Sequence, residues 1–385
     1  MSEVAIVRCE SYDQPEVNAA IKRGLELIGG VQHFVKINER ILLKPNLLSA
    51  DPPEKCVTTH PAVFRAVAEA LQNAGVHLTY GDSPGFGSPG GAARKAGIAA
   101  VAAGLDIPMA DFQQGQEVVC LDGLQNKKFV IAKGVLECDG LISLPKLKTH
   151  GLTRLTGCIK NQFGCIPGFL KGEYHVKLPD VNNFAQMLAD LNLLLKPRIY
   201  IMDGIMAMEG NGPRGGRPKK MNVLLFSSDP VALDATICRM VGVDPEFIPT
   251  VTAGVKAGLG SFRENEIEIL GDNLQSFQTG SFDVNRDRNL KGRKIPQSKL
   301  LKNLILPKPY IMEEGCIKCG VCVRVCPVSP KVLAWSSESH EQPPHYDYNR
   351  CIRCFCCQEL CPESTIAIKS PLLHRLADRQ KKSMQ

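Results

Sequence analysis

The chain has 385 residues, 44% hydrophobic and 22% charged, with a formal net charge of +7 and 16 cysteines. This is the composition of an ordinary soluble globular protein, long enough for two or three domains. No apolar run approaches the ~18 residues of a membrane span, and the overall charge gives no reason to expect nucleic acid as a partner.

The N-terminus passes from Met1-Ser2-Glu3 straight into Val4-Ala5-Ile6-Val7. It lacks a basic n-region and a cleavage site, so no signal peptide is expected. The many cysteines point to a reducing interior, and the expected location is cytoplasmic. Residues 4–7 read as a first strand. Apolar spacing at Val17, Ile21, Leu25 and Ile28 predicts a helix over 15–28. Residues 40–43 form a short apolar strand. Val63, Val67 and Leu71 share one face of a helix over 61–73, with Pro61 in its first turn and Gly75 just past its end. Strands follow at 76–80 and 141–144. Val181, Phe184, Leu188, Leu191 and Leu195 are in register for an amphipathic helix over 181–195. Residues 199–202 and 223–226 are strands, and a helix over 229–241 has Asp229 as N-cap and Pro230 at its first position. Alternation of this kind predicts an α/β fold for residues 1–282, a mostly parallel sheet flanked by helices.

Four of these strands run into polar residues: Lys44-Pro45-Asn46, Gly81-Asp82-Ser83-Pro84-Gly85, Pro145-Lys146-Leu147-Lys148-Thr149-His150, and Asp203-Gly204 leading to Glu209-Gly210-Asn211-Gly212. Each alone suits turn chemistry. In open α/β sheets, however, ligands bind beyond the carboxyl ends of the strands, and the recurrence points to one site there. The Gly-rich run from Gly81 to Gly91 suits phosphate at a helix starting near Ala92, but it matches no nucleotide-binding fingerprint.

The segment 156–168 is rich in glycine, holds Lys160 and Asn161, and leads to Lys171 and His175. With Lys146, Lys148 and His150 it supplies enough cations to hold a small anionic substrate. A histidine there suits general acid–base work near neutral pH. The expected catalytic set is His150, as proton donor, with Lys146, Lys148 and Lys160. The expected substrate contacts are Lys44, Asn46, His60, Asp82, Ser83, Asn161, His175 and Asp203. A solvated loop position is equally consistent with Lys171. Cys9, Cys56, Cys120, Cys138, Cys158, Cys165 and Cys238 read as small buried hydrophobes.

Cys316, Cys319, Cys322 and Cys326 read C-x2-C-x2-C-x3-C before Pro327, and Cys351, Cys354, Cys357 and Cys361 repeat the spacing before Pro362. Each run is the bacterial ferredoxin pattern for a cubane 4Fe–4S cluster. Three cysteines spaced by three cap three irons, and the fourth iron takes the last cysteine of the other run. Cys316, Cys319, Cys322 and Cys361 are therefore expected on one cluster, and Cys351, Cys354, Cys357 and Cys326 on the second. Zinc would leave two cysteines per half unused. Cys356 falls outside the pattern. Two oxidised clusters would lower the net charge to about +3.

Residues 283–309 are basic and end in Pro307-Lys308-Pro309, which predicts a linker. Residues 310–368 are expected to form a small α+β two-cluster ferredoxin-type domain, and 369–385 a basic tail. The basic stretches are either solvated or a docking surface for an acidic redox partner or an anionic membrane face.

The motifs Lys44-Pro45-Asn46, Thr59-His60-Pro61, Gly81 to Gly85, Pro145 to His150, Lys160-Asn161 with Gly164, Asp203-Gly204 to Pro213, and Ser228 to Ala235 together resemble the domain-of-unknown-function family numbered 362. Its members often carry a C-terminal ferredoxin domain, as the resemblance implies here. A smaller likeness, at Thr59-His60 and Gly157 to Lys160, is to the N-terminal domain of nickel-pincer lactate racemase; neither nickel nor racemisation is carried over from it. Three functions fit. The first is an iron–sulfur oxidoreductase reducing a small anionic substrate at the strand ends. The second is an electron carrier that docks a redox partner protein and has no chemistry of its own. The third is a cluster-regulated isomerase or ligand-binding module.

Overall fold

The structure is a computed structural model in which residues 1–286 and 299–369 are described. β1 (Ser2–Arg8), α1 (Gln14–Leu27), β2 (Arg40–Pro45), α2 (Pro61–Asn73), β3 (His77–Tyr80), α3 (Pro89–Lys95) and α4 (Ile98–Gly104) come first. A hairpin of β4 (Gly115–Val119) and β5 (Lys128–Ala132) follows, then α5 (Lys133–Leu136). Next come β6 (Gly140–Leu144), β7 (Lys146–His150), β8 (Arg154–Leu155), α6 (Cys158–Asn161), α7 (Leu170–Lys177) and α8 (Val181–Leu195). β9 (Ile199–Glu209), β10 (Arg217–Ser227), α9 (Pro230–Met240), α10 (Pro249–Lys256) and β11 (Ile267–Gly271) complete the large unit.

The main sheet runs β11-β1-β10-β9-β6-β2-β3. Its pairings are parallel except β1–β10 and β10–β9. Alternate residues of a strand face opposite sides. Ala5 and Val7 accordingly join the core beneath α1 and α2, while Val4 and Ile6 join the core beneath α8 and α9. Burial on both faces explains why the strands read as unbroken apolar runs. The fold is thus α/β with a mostly parallel sheet. Asp229 caps α9 as its sequence suggests, accepting from the N–H groups of Val231 and Ala232.

Two strands outrun their sequence signal. β9 and β10 pair as a long antiparallel ribbon, Arg217 opposite Glu209 and Leu224 opposite Asp203. Asp203 and Gly204 therefore lie within a strand, not beyond its end. Lys146 to His150 likewise form β7, parallel to β9, so only two of the four polar segments are strand ends. Polar residues hid these strands because their side chains are satisfied by buried partners rather than by water. The helix expected near Ala92 starts at Pro89, where the Ser88 hydroxyl caps the Gly91 N–H.

The C-terminal unit comprises α11 (Lys299–Ile305), β12 (Lys308–Ile311), α12 (Val321–Arg324), β13 (Leu333–Ala334), β14 (His345–Tyr346), α13 (Cys356–Glu359) and β15 (Ile366–Lys369), with β12 paired to β15. Both ends of the expected linker carry structure. Val284 is buried in the large core, and α11 with part of β12 lies before residue 310. Arg288, Lys291, Arg293 and Lys294, and the tail from residue 370, lie outside the described residues. Among the described residues no helix is long and apolar enough to cross a membrane.

Candidate functional site

The loops after β2 and β3, with β7, α6 and α7, enclose a crevice of about 800 Å³ counted out to its mouth. Asn46, Asp82, Ser83, Lys148, Thr156, Lys160, Asn161, Lys171 and His175 line it from the large unit. Val325, Cys356, Glu359 and Leu360 line it from the iron–sulfur end of the chain. The two units dock closely. Gln358 Nε2 donates to the carbonyls of Asn211 and Gly212, and Asn211 Nδ2 donates to the Ile366 carbonyl. Arg214 pairs with Asp51 at 2.7 Å and donates to the Leu360 carbonyl.

Most of the lining is locked by neighbours. Lys148 Nζ donates to Asn46 Oδ1 at 2.8 Å and to the Val57 carbonyl at 2.6 Å. Asn46 Nδ2 donates to Asn161 Oδ1, and Asn161 Nδ2 to Ser143 Oγ. Burial, then the nearby Lys160 charge, pushes Lys148 down to about 7. Lys171 is buried rather than solvated. Its Nζ donates to Ser83 Oγ and the Ile166 carbonyl, and burial lowers it to about 8. Lys44 stands behind the lining, wholly buried, its Nζ 2.8 Å from Asp82 Oδ1. The other Asp82 oxygen accepts from the Leu47 N–H at 2.6 Å. Gly164 makes this possible, since a Cβ there would lie 1.7 Å from Asp82 Oδ1.

His150 differs from expectation. Its Nδ1 accepts from the N–H groups of Leu152 and Thr153 at 3.0 and 3.2 Å, so the neutral ring carries its proton on Nε2. That Nε2 is buried without a hydrogen-bond partner among the described residues and faces Glu359 Oε2 at 3.5 Å, longer than a good charge-assisted bond. Burial pushes the ring down to about 4, so at neutral pH it is a neutral N–H donor and not an imidazolium. His175 is lowered to about 3, also by burial, and stacks on Phe184 at 4.4 Å. Glu359 lies 3.9 Å from Lys160 Nζ. Burial alone would raise its carboxyl, but Lys160 and His150 hold it well below the usual carboxylate range. Sequence reading missed Glu359. Its only signal was an acidic residue inside a metal-ligand run.

Lys146, Asp203 and His60 sit elsewhere. Lys146 Nζ is 2.7 Å from Asp203 Oδ2 and 2.8 Å from the Tyr12 hydroxyl. Tyr12 donates to Asp203 Oδ1, and Asp203 Oδ2 also accepts from the His60 N–H. The Tyr12 and His60 rings stack at 3.5 Å, and His60 Nδ1 accepts from the Ala62 N–H at the start of α2. This closed network does not line the crevice. It fastens β7 and β9 to the N-terminal segment, and its member Tyr12 carried no signal in the sequence.

Cys316, Cys319, Cys322 and Cys361 line one pocket, three from the first run and one from the second. These are the four cysteines expected on the first cluster. Cys322, Cys326, Cys351, Cys357 and Cys361 pack in one cluster. Burial first, then Cys354 and Cys351, pushes the Cys357 thiol up. Among the described residues no group of three or more His, Cys, Asp or Glu closes around a single ion. Sulfurs that each take a different iron stand further apart than four on one zinc. Cys356 and Val325, which line the crevice, adjoin Cys357 and Cys326 of the other expected set.

Residues 41–239 match the family described as Domain of unknown function (DUF362), and residues 308–362 match the 4Fe-4S dicluster domain. A thylakoid-associated protein of Synechocystis is 38% identical over 260 residues, covering 67% of this chain and 80% of its own length. Among solved structures, the lactate racemase apoprotein of Thermoanaerobacterium thermosaccharolyticum aligns with a TM-score of 0.38 at 14% identity, over 61% of this chain and 55% of that one. A Thermotoga maritima protein aligns with a TM-score of 0.34 at 10% identity, over 58% of this chain and 57% of that one. Likenesses this distant leave the fold to be argued from the sheet itself.

Proposed function

Because the chain belongs to the DUF362 family and ends in a 4Fe-4S dicluster domain, an iron–sulfur electron-transfer module, we propose that it is an oxidoreductase acting on a small anionic substrate in the strand-end crevice. Cys316, Cys319, Cys322 and Cys361 would hold one cluster, and Cys351, Cys354, Cys357 and Cys326 the second. When bound, the clusters supply single electrons. The carrying observation is that Cys356 and Glu359, from the second cysteine run, line the same crevice as Lys148 and Lys160. A plain carrier needs no such shared wall.

In this reading Lys160, with the remaining N–H of Lys148 and of Lys171, binds the anion. Asn46 and Asn161 orient Lys148. Docking of the iron–sulfur unit excludes water, which strengthens each of these contacts. His150 contributes its Nε2–H as a hydrogen-bond donor behind Glu359, and not as the acid first expected. Lys44, Ser83 and Asp82 shape the wall, while Lys146, His60 and Asp203 act through the fold. Thiolate-bound clusters suit a reducing compartment, in keeping with a cytoplasmic location.

The test is re-oxidation of the reduced, anaerobic protein by a panel of small reducible anions, 2-oxo and unsaturated carboxylates with and without a phosphate group, each taking up electrons from the clusters and protons from solvent, followed by cluster absorbance. One or more anions should re-oxidise it, and Lys160→Met should abolish this with iron content intact. A specific observation favours the carrier reading: Cys319 is exposed and neighbouring Ile317 is 61% exposed, an apolar contact for a redox protein. If no anion re-oxidises the clusters and an acidic redox protein does, the carrier reading prevails.

A further inference from the structure

Three lysines and two carboxylates line the crevice, and they are unequally satisfied. Asp82 is closed tightly on Lys44 at 2.8 Å, as is Asp203, outside the crevice, on Lys146 at 2.7 Å. Glu359 is not. Its nearest donors are His150 Nε2 at 3.5 Å and Lys160 Nζ at 3.9 Å, although a carboxylate can accept about four hydrogen bonds. Among the described residues Lys160 Nζ has otherwise only the Phe163 ring, at 5.9 Å. Thr156 Oγ1, on the same wall, is buried with no hydrogen-bond partner among the described residues. A buried charge or hydroxyl left this way is costly unless something bridges it. Donors and acceptors are thus held apart around one space, each lacking what the other offers.

We infer that Glu359 selects the ligand: the crevice takes a small anion that also carries a hydroxyl, the negative end on Lys160 and the hydroxyl donating to the Glu359 carboxylate. The inference rests on the reading of the crevice as the ligand site and names its ligand class. An anion without a donor group meets Glu359 as a like charge. A hydroxyl turns the same carboxylate into an acceptor. A cationic ligand is opposed by Lys148, Lys160 and Lys171. Glu359 is therefore a specificity residue delivered by the iron–sulfur unit, and the site is incomplete without that unit.

Glycolate and propionate have the same size and differ in a hydroxyl against a methyl. Calorimetry on the full-length, iron-loaded protein should find glycolate tighter by about tenfold or more, the scale of a hydrogen bond to a charged group. Glu359→Ala should tighten propionate and bring the ratio close to one. Glu359→Gln keeps the volume and one acceptor oxygen, so its ratio should be intermediate; it carries the test if the alanine variant sheds iron. Equal binding of the two anions to the wild type, or an unchanged ratio in both variants, overturns the inference and leaves the crevice a simple anion site. If neither anion binds better to wild type than to Lys160→Met, the crevice is not the ligand site, and the proposed function falls with it.

Discussion

Oε2 of Glu359 stands 3.5 Å from Nε2 of His150, which sets a carboxylate of the iron–sulfur unit against an imidazole of β7. Residues far apart in sequence thereby share one buried wall. The crevice has both walls only while the two units are docked.

That seam depends on Arg214. Its guanidinium closes on Asp51, whose side chain is 2% exposed, and reaches the Leu360 carbonyl. Arg214→Ala removes one partner of a buried pair, at a cost of about 3–5 kcal/mol. Thermal unfolding should shift down, and limited proteolysis should cut between the units faster than in wild type. Unchanged proteolysis would mean the seam is held without Arg214.

The crossed cluster ligation proposed above has a plain consequence. Cys361 lines the cavity of Cys316, Cys319 and Cys322. Cys361→Ala should lose about half the iron, and the lost cluster should be the one that Cys316→Ala also removes. Cys356→Ala should keep its iron. Iron analysis with electron paramagnetic resonance distinguishes these outcomes, and full iron in Cys361→Ala would refute the crossed set.

Gly164 keeps the Lys44–Asp82 pair closed. The methyl of Gly164→Ala would fall 1.7 Å from Asp82 Oδ1 and 3.0 Å from Lys44 Nζ. Asp82 must then move off its lysine, so the expected loss is about 1–3 kcal/mol from overpacking, and more if the pair breaks. Denaturant unfolding measures it. Anion affinity should weaken as well, because Asp82 also anchors the Leu47 N–H on the crevice rim.

Lys148 gives a pH dependence with opposite signs for binding and stability. Burial lowers it from 10.5 to about 7 in the fold. Between those values the unfolded chain binds more protons at this site, so stability rises with pH through that window, and the fold's penalty is full below about 7. Anion affinity runs the other way, falling as Lys148 discharges above about 7, with Lys171 following near 8. Calorimetry with glycolate across pH should show this fall, and Lys148→Met should remove its lower step. A flat profile in the wild type would exclude Lys148 from the anion contact.

Much of the large fold was legible because buried strands and amphipathic helices write their burial into apolar period. The helices at 61–73 and 181–195 have the bounds their spacing predicts. β7 and the long halves of β9 and β10 were not legible. Lys146, Lys148, Asp203 and Glu209 are polar, and only their buried partners let them sit in strands. At the site, the residue types were readable and their grouping was not. Lys146 and Lys148 are two residues apart, yet one closes on Asp203 and Tyr12 while the other faces the crevice.

The sequence by itself determined the iron chemistry, because a cubane needs thiolates at short fixed spacing and that spacing is local in the chain. It also determined the layered α/β plan, through local apolar periodicity. Only the tertiary structure decided that Glu359 completes the crevice, that His150 stands neutral behind it, and that Lys146, His60 and Asp203 belong to a separate network. Those facts depend on distances between residues remote in sequence and on burial, which sets the charge a side chain can carry.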